Sequence, residues 1–247
     1  MENTGDAYLV GCLRSEDRKE SILNIRREYK GEDTGPIYKK KVVIDVDATL
    51  ADTHTATLNI YNARHGTHFT SADITDWDFS KTRTGLDYTS FMELYEIAWS
   101  HPETIKPLFE KKLMADLSEH YEIIIASKRP DSTIPYLNKW LESNASGIKY
   151  TLVIYSSNGK SDKHEYGADF MVDDNPGAAA EVRSGTFLFL VNRPYTPEYM
   201  KSAKDSKYTV VKDVNDAMRK MIDLAENRLS LAELRSGEKA RGKSGSA

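Results

Sequence analysis

Residues 42–50 read Val42-Val43-Ile44-Asp45-Val46-Asp47-Ala48-Thr49-Leu50, an apolar run leading straight into a pair of carboxylates. An unbroken Val/Ile run with no polar alternation suits a strand buried on both faces, as in a parallel sheet. Four more runs of this kind follow, at residues 121–126, 150–155, 170–172 and 186–191, and three of them lead directly into Ser127, Asp173 and Asn192. The intervening segments 102–120, 133–144 and 176–183 are long enough for helical crossovers. Together they predict an α/β fold with an open, doubly wound parallel sheet, in which ligands bind beyond the carboxyl ends of the strands. Residues 51–100 are too long for a simple crossover and carry Tyr61, Phe69, Trp77, Phe79, Tyr88, Phe91, Tyr95 and Trp99. They are expected to form a small helical cap inserted after the first strand. The expected organisation is a polar arm over 1–38, a core over 39–52 and 101–228, the cap over 53–100, and a basic, disordered tail over 229–247. Apolar residues recur with helical spacing from Val214 to Leu234.

The pair Asp45 and Asp47 follows a buried strand, so both carboxylates can turn into one crevice. With a hard cation such as Mg²⁺ present, Asp45 offers an oxygen ligand and can also attack phosphorus as a carboxylate nucleophile. Asp47 can then protonate the leaving alkoxide and later deprotonate water. A plainer reading makes one Asp a helix cap and leaves the other solvated. At later strand ends Ser127 offers a hydroxyl donor, Lys163 or Lys160 a positive charge, and Asp173-Asp174 further oxygen ligands. Each has its own plain reading: a cap, a solvated lysine, a turn with Pro176 in the first turn of a helix. It is their order at successive strand ends that argues for a single site.

In that order, residues 45–49, Ser127, Lys163 and Asp173-Asp174 resemble the four motifs of the haloacid dehalogenase-like phosphohydrolase superfamily. Residues 45–52, 73–79, 127–130, 173–176 and 193–195 resemble its 5'(3')-deoxyribonucleotidase branch, the cytosolic type C 5'-nucleotidases, and the likeness extends over roughly residues 40–222. It implies a Rossmann-like core with a helical cap and Mg²⁺-dependent phosphomonoester hydrolysis through an aspartyl-phosphate. In that scheme Asp45 is nucleophile and metal ligand, and Asp47 is acid/base and ligand through its backbone carbonyl. Ser127, Lys128 and Lys163 bind the phosphoryl group; Asp174, or failing it Asp173, completes the metal ligands. Two positions depart from the pattern: Ala48 stands where Gly is usual, and Thr53 stands where an aromatic residue stacks on the nucleobase. Trp77 and Phe79 of the cap can supply aromatic surface to the substrate instead.

The chain has 247 residues, with 34 Lys+Arg against 38 Asp+Glu and a net charge of −4. That balance disfavours nucleic acid as a partner recognised by bulk charge. One cysteine, Cys12, allows neither an internal disulfide nor a thiolate zinc cluster, and no run approaches the ~18 apolar residues of a membrane span. A cytoplasmic setting is expected, with a small phosphate ester, in particular a nucleotide, as partner; a homodimer is compatible with it. Residues 237–244 match the phosphate-loop pattern but lack the strand before and the helix after that give it meaning. His65 and His68 lack the further ligands of a zinc site. The rival functions are a polynucleotide 3'-phosphatase, another small-molecule phosphatase, and a non-catalytic binding protein on the same fold.

Overall fold

The computed structural model describes residues 39–157, 163–202, 205 and 207–236. The polar arm, Lys160 and the phosphate-loop look-alike lie outside these residues. Six parallel strands form one sheet in the order β3-β2-β1-β4-β5-β6: β1 Lys41–Asp45, β2 Glu122–Arg129, β3 Thr151–Ser156, β4 Phe170–Asp173, β5 Phe187–Val191 and β6 Tyr208–Val211. The fold is therefore α/β with a Rossmann-like, doubly wound parallel sheet. The strand order reverses beside β1, which pairs with β2 on one side and β4 on the other. In such sheets that reversal opens a crevice at the carboxyl end. The helices are α1 Thr53–His65, α2 Tyr88–Trp99, α3 Lys111–His120, α4 Ile134–Asn144, α5 Ala178–Glu181, α6 Glu198–Ser202, α7 Val214–Ala225 and α8 Leu231–Ser236.

Period-2 alternation explains why the strands read as unbroken apolar runs. Val42, Ile44, Ile123, Ile125, Phe170, Val172, Phe187 and Phe189 belong to a core on one face of the sheet. Their neighbours Val43, Ile124, Ala126, Met171, Leu188 and Leu190 belong to a separate core on the other. Successive side chains point to opposite faces, so a strand covered on both sides must be apolar at every position. The first face also takes Leu117 of α3, Trp140 of α4 and Met218 and Met221 of α7; the second takes Ala178 of α5 and Met200 of α6.

Three features differ from the pattern read in the sequence. Tyr208–Val211 adds a sixth strand on the edge beside β5, where Thr209 breaks the apolar run and two of the four residues are only partly buried. Strand β2 continues three residues beyond Ala126, because Ser127, Lys128 and Arg129 keep their register with Ile154, Tyr155 and Ser156 of β3. The helical pattern that begins at Val214 is interrupted after Ala225, where Asn227 takes the left-handed conformation at φ 57° and ends α7; the chain then forms α8, whose Leu234 is buried in the core, so residues 231–236 are helix and not part of a disordered tail.

Between β1 and β2 lie α1 and α2, which pack on each other, short 3₁₀ turns at Ser71–Asp73 and Phe79–Lys81, and then α3. Asp52 caps α1 by accepting the Thr55 N–H, and Gly66 ends it at φ 64°. Asp87 caps α2 by accepting the Ser90 N–H. Leu58 of α1 and Phe91, Leu94, Tyr95, Ala98 and Trp99 of α2 are buried in the same core as the first face of the sheet. The helical insert is thus packed continuously with the sheet while reaching over the end of β1.

Candidate active site

The loop leaving β1 is wound around one carbonyl: Val46 accepts the N–H groups of Thr49, Leu50 and Ala51 at 3.3, 2.9 and 2.8 Å. Closing so tight a loop puts Ala48 at φ 54°, a conformation that costs an L-residue about 1–2 kcal/mol and that Gly adopts freely. Two contacts hold it there. The Ala48 N–H donates to the Thr53 hydroxyl at 3.1 Å, and the Arg193 guanidinium donates to the Ala48 carbonyl. Thr53, the position expected to face a nucleobase, is almost fully buried and ties its own loop together.

Asp45 ends β1 with its side chain buried, and Asp173 and Asp174 come up beside it from the end of β4. Carboxylate oxygens of the three lie within 4.8 Å of one another. The Lys163 ammonium donates to Asp45 at 2.5 Å and pairs with Asp173 at 3.0 Å. His164 reaches Asp173 at 3.1 Å and Glu181 at 2.8 Å, while the Asn175 N–H donates to Asp173 at 2.9 Å. Asp174 accepts from the Thr49 hydroxyl at 3.2 Å on one oxygen and from the Tyr195 hydroxyl on the other.

One ammonium cannot balance three buried carboxylates, and their proton affinities divide accordingly. Burial alone would raise Asp173, yet Lys163 and His164 hold its pKa down at about 2. Asp45 is pushed well above the usual range by burial and by the neighbouring carboxylates, against the pull of Lys163. Asp174 is raised by burial and by Asp173. Burial would lower Lys163, but Asp173 and Asp45 together raise it, so it stays charged. Dense oxygen ligands with uncompensated negative charge suit a hard divalent cation.

Asp47 points a different way. It accepts the Trp99 indole N–H at 3.1 Å on one oxygen, and the Ser127 hydroxyl at 3.2 Å and the Arg129 guanidinium at 2.9 Å on the other. Arg129 is fully buried, donates to the Ser127 hydroxyl at 3.0 Å and lies with its guanidinium carbon 4.3 Å from the Trp99 ring centroid. Ser127 therefore stands behind Asp47, its hydroxyl directed at that carboxylate.

A cavity of about 420 Å³ opens over these groups. Asp45, Asp47, Lys163, Asp173 and Asp174 line it from the core, together with Lys128, and Thr53, Trp77, Phe79, Tyr88 and Phe91 line it from the insert. Of the residues expected at the site, only Ser127 is absent from its lining. Phe79 stacks on Phe91 at 4.0 Å and 10°, so one face of its ring is already covered. Trp77 and Tyr88 are 50% and 69% exposed. The sequence reading leaves Thr49, His54, Trp99, Arg129, His164 and Tyr195 without a role. Arg129 and Tyr195 occur there only inside motifs of the resemblance, and nothing in their spacing shows that they meet Asp47 and Asp174.

His54 stands at the edge of this cavity, edge-on to Phe79, Phe91 and Tyr195 at 5.7, 6.0 and 5.7 Å. Burial, aided by Arg193, pushes its pKa from 6.5 down to about 4. Between those two values the unfolded chain binds a proton that the folded chain does not, so stability is lost as the pH is lowered through that window, by up to about 1.4 kcal/mol per pH unit. Urea unfolding at pH 7 and pH 5 is expected to show a smaller acid loss in His54→Phe than in the wild type. Parallel losses would refute the assignment.

The doubly wound sheet, the helical insert and the buried carboxylates gathered with Lys163 agree with the haloacid dehalogenase-like phosphohydrolase class that the sequence motifs resemble. The family model described as "5' nucleotidase, deoxy (Pyrimidine), cytosolic type C protein" matches residues 39–203, about two thirds of the chain. The chain belongs to this cytosolic type C 5'-nucleotidase family and is a phosphoric monoester hydrolase. No curated protein matches it. Among solved structures it is similar to a phosphonoacetaldehyde hydrolase-like protein from Oleispira antarctica, with 14% identity, 85% of this chain and 99% of the other covered, and a TM-score of 0.47. A HAD-superfamily hydrolase of subfamily IA from Geobacter sulfurreducens gives 13%, 76%, 100% and 0.46. β-Phosphoglucomutase from Clostridium difficile gives 13%, 77%, 100% and 0.45. Among the described residues no helix is long and apolar enough to cross a membrane.

Proposed function

We propose that the protein is a Mg²⁺-dependent nucleotidase that hydrolyses (deoxy)ribonucleoside monophosphates through an aspartyl-phosphate on Asp45, in a cytosolic setting. The observation that carries this reading is the single cavity with the carboxylates and Lys163 on its core side and aromatic rings on the other. Asp45, Asp173 and Asp174 would hold the cation, together with the Asp47 backbone carbonyl. Bound there, it supplies positive charge to the phosphoryl oxygens and to the carboxylates that face them.

The Asp45 carboxylate attacks phosphorus, the bond to the ester oxygen breaks, and the acyl phosphate forms on Asp45. Lys163, already on Asp45 and Asp173, aligns the nucleophile and offsets charge on the transferring group. Lys128 borders the same cavity and can offset charge there as well. Asp47 gives its proton to the leaving nucleoside oxygen, then takes one from the water that cleaves the acyl phosphate. Ser127 acts here through Asp47, to which its hydroxyl already donates.

The exposed rings of Trp77 and Tyr88, with Phe79 beside them in the cavity lining, offer surface for a nucleobase. With Thr53 engaged to Ala48, base contact falls to these cap residues. The test is phosphate release from 5' and 3' mononucleotides, sugar phosphates, an aryl phosphate and a 3'-phosphorylated oligonucleotide, with Mg²⁺ and with chelator. Mg²⁺-dependent release strongest on mononucleotides is expected. Release from the aryl phosphate alone would overturn the nucleotide assignment, and equal release with chelator would overturn the metal.

A further inference from the structure

The loop after β5 places Tyr195 beside Asp174, just beyond the end of the neighbouring strand β4. Tyr195 is 5% exposed, and its hydroxyl donates to one oxygen of Asp174 while the Thr49 hydroxyl donates to the other at 3.2 Å. Two donors from two different loops therefore set the plane of one carboxylate, which no single contact could do. The ring of Tyr195 is itself held by edge contacts with His54 at 5.7 Å and Trp77 at 5.4 Å. The backbone of the loop is braced where the Arg193 N–H donates to the Thr196 hydroxyl at 2.9 Å.

We propose that Tyr195 is a positioning residue for the cation site: through its hydroxyl it holds Asp174 in the orientation that binds the divalent ion, while its ring, wedged between His54 and Trp77, places that hydroxyl. The inference rests on Asp174 being a ligand of the ion. Groups that orient a ligating carboxylate without touching the ion govern affinity through preorganisation. Once the hydroxyl is gone, Asp174 can rotate about its side chain, and binding must first restrain it. Arg193 and Tyr195 lie on the same short loop, so that loop also reaches the Ala48 carbonyl, next to Asp47. The loop thereby spans the turns that follow β1 and β4.

The experiment is a calorimetric titration of the full-length protein with Mg²⁺ in the absence of substrate, comparing wild type with Tyr195→Phe, which keeps the ring and removes only the hydroxyl. The expected result is a Kd for Mg²⁺ weaker by about 10–100-fold, the usual cost of losing an outer partner of a metal ligand. Near-ultraviolet circular dichroism should be unchanged, and turnover should recover at high Mg²⁺. A Kd unchanged between the two proteins overturns the role of Tyr195 and leaves the cation site standing. A wild type that takes up no Mg²⁺ overturns the cation site itself, and the inference with it. Loss of the folded dichroism signal together with affinity also overturns the role, because the hydroxyl would then be maintaining the fold rather than the ligand.

Discussion

Asp45→Asn is expected to lose phosphate release by at least about 10³-fold, as removal of a covalent nucleophile does elsewhere, while remaining folded. The amide keeps the shape of the side chain and can still accept from Lys163, but it cannot form an acyl phosphate. The expected stability makes the prediction sharper. In the wild type, burial and the nearby Asp173 and Asp174 raise the pKa of Asp45, so its ionised form is disfavoured in the folded state. A raised carboxylate pKa means the unfolded chain releases the proton first as pH rises, so this group costs stability at neutral pH. Removing the charge should leave the cation-free protein as stable as the wild type or more so, the usual relation between a strained functional group and its host. Unfolding midpoints and phosphate release on the same preparation check both halves. Wild-type-like turnover in Asp45→Asn would sink the mechanism, whereas a collapse of stability would show that Asp45 serves the fold.

Arg129→Met should produce the largest loss of stability at the site. The guanidinium is fully buried on Trp99 and supplies one of the donors that hold Asp47. Deleting one partner of a buried pair typically costs about 3–5 kcal/mol, because the other charge is left desolvated without compensation. Asp47 retains 25% of its side-chain exposure, so the lower end, about 3 kcal/mol, is expected here. In a chain of this size that corresponds to a fall of roughly 6–12 °C in Tm. Combining the change with Asp47→Asn should recover much of the loss, since the orphaned charge is then gone; additive losses in that cycle would show that Arg129 acts through packing alone. Turnover should fall with Arg129→Met even at temperatures where the protein is folded, because Asp47 would no longer be held at the mouth of the cavity.

The two predictions also mark where sequence and structure part company. Asp45, Asp47, Asp173 and Asp174 could be picked out because each sits at or just beyond the end of a segment whose apolar pattern is explicit, whereas Lys163, in the turn between β3 and β4, was indicated by its spacing before Asp173 within the resemblance. A parallel sheet brings strand ends together whatever the intervening chain does. The same logic placed five of the six strands and the helical insert, since burial on both faces requires an apolar residue at each position of a strand and leaves a legible run. The edge strand Tyr208–Val211 escaped because Thr209 interrupts its apolar run and only its two end residues are buried.

What the sequence determined by itself is therefore the α/β class, the position of the insert and the carboxylates that face one another across the crevice. Only the tertiary structure decided what those carboxylates touch. Ser127 turns toward Asp47 because β2 runs on to Arg129, whose guanidinium fills the space behind both. Thr53 faces its own loop because Ala48 is strained and needs an acceptor for its N–H. Tyr195 reaches Asp174 from a loop that begins beyond another strand. Periodicity records which face of an element is buried. Hydrogen-bond partners separated by tens of residues depend on distances and directions that exist only once the elements have packed.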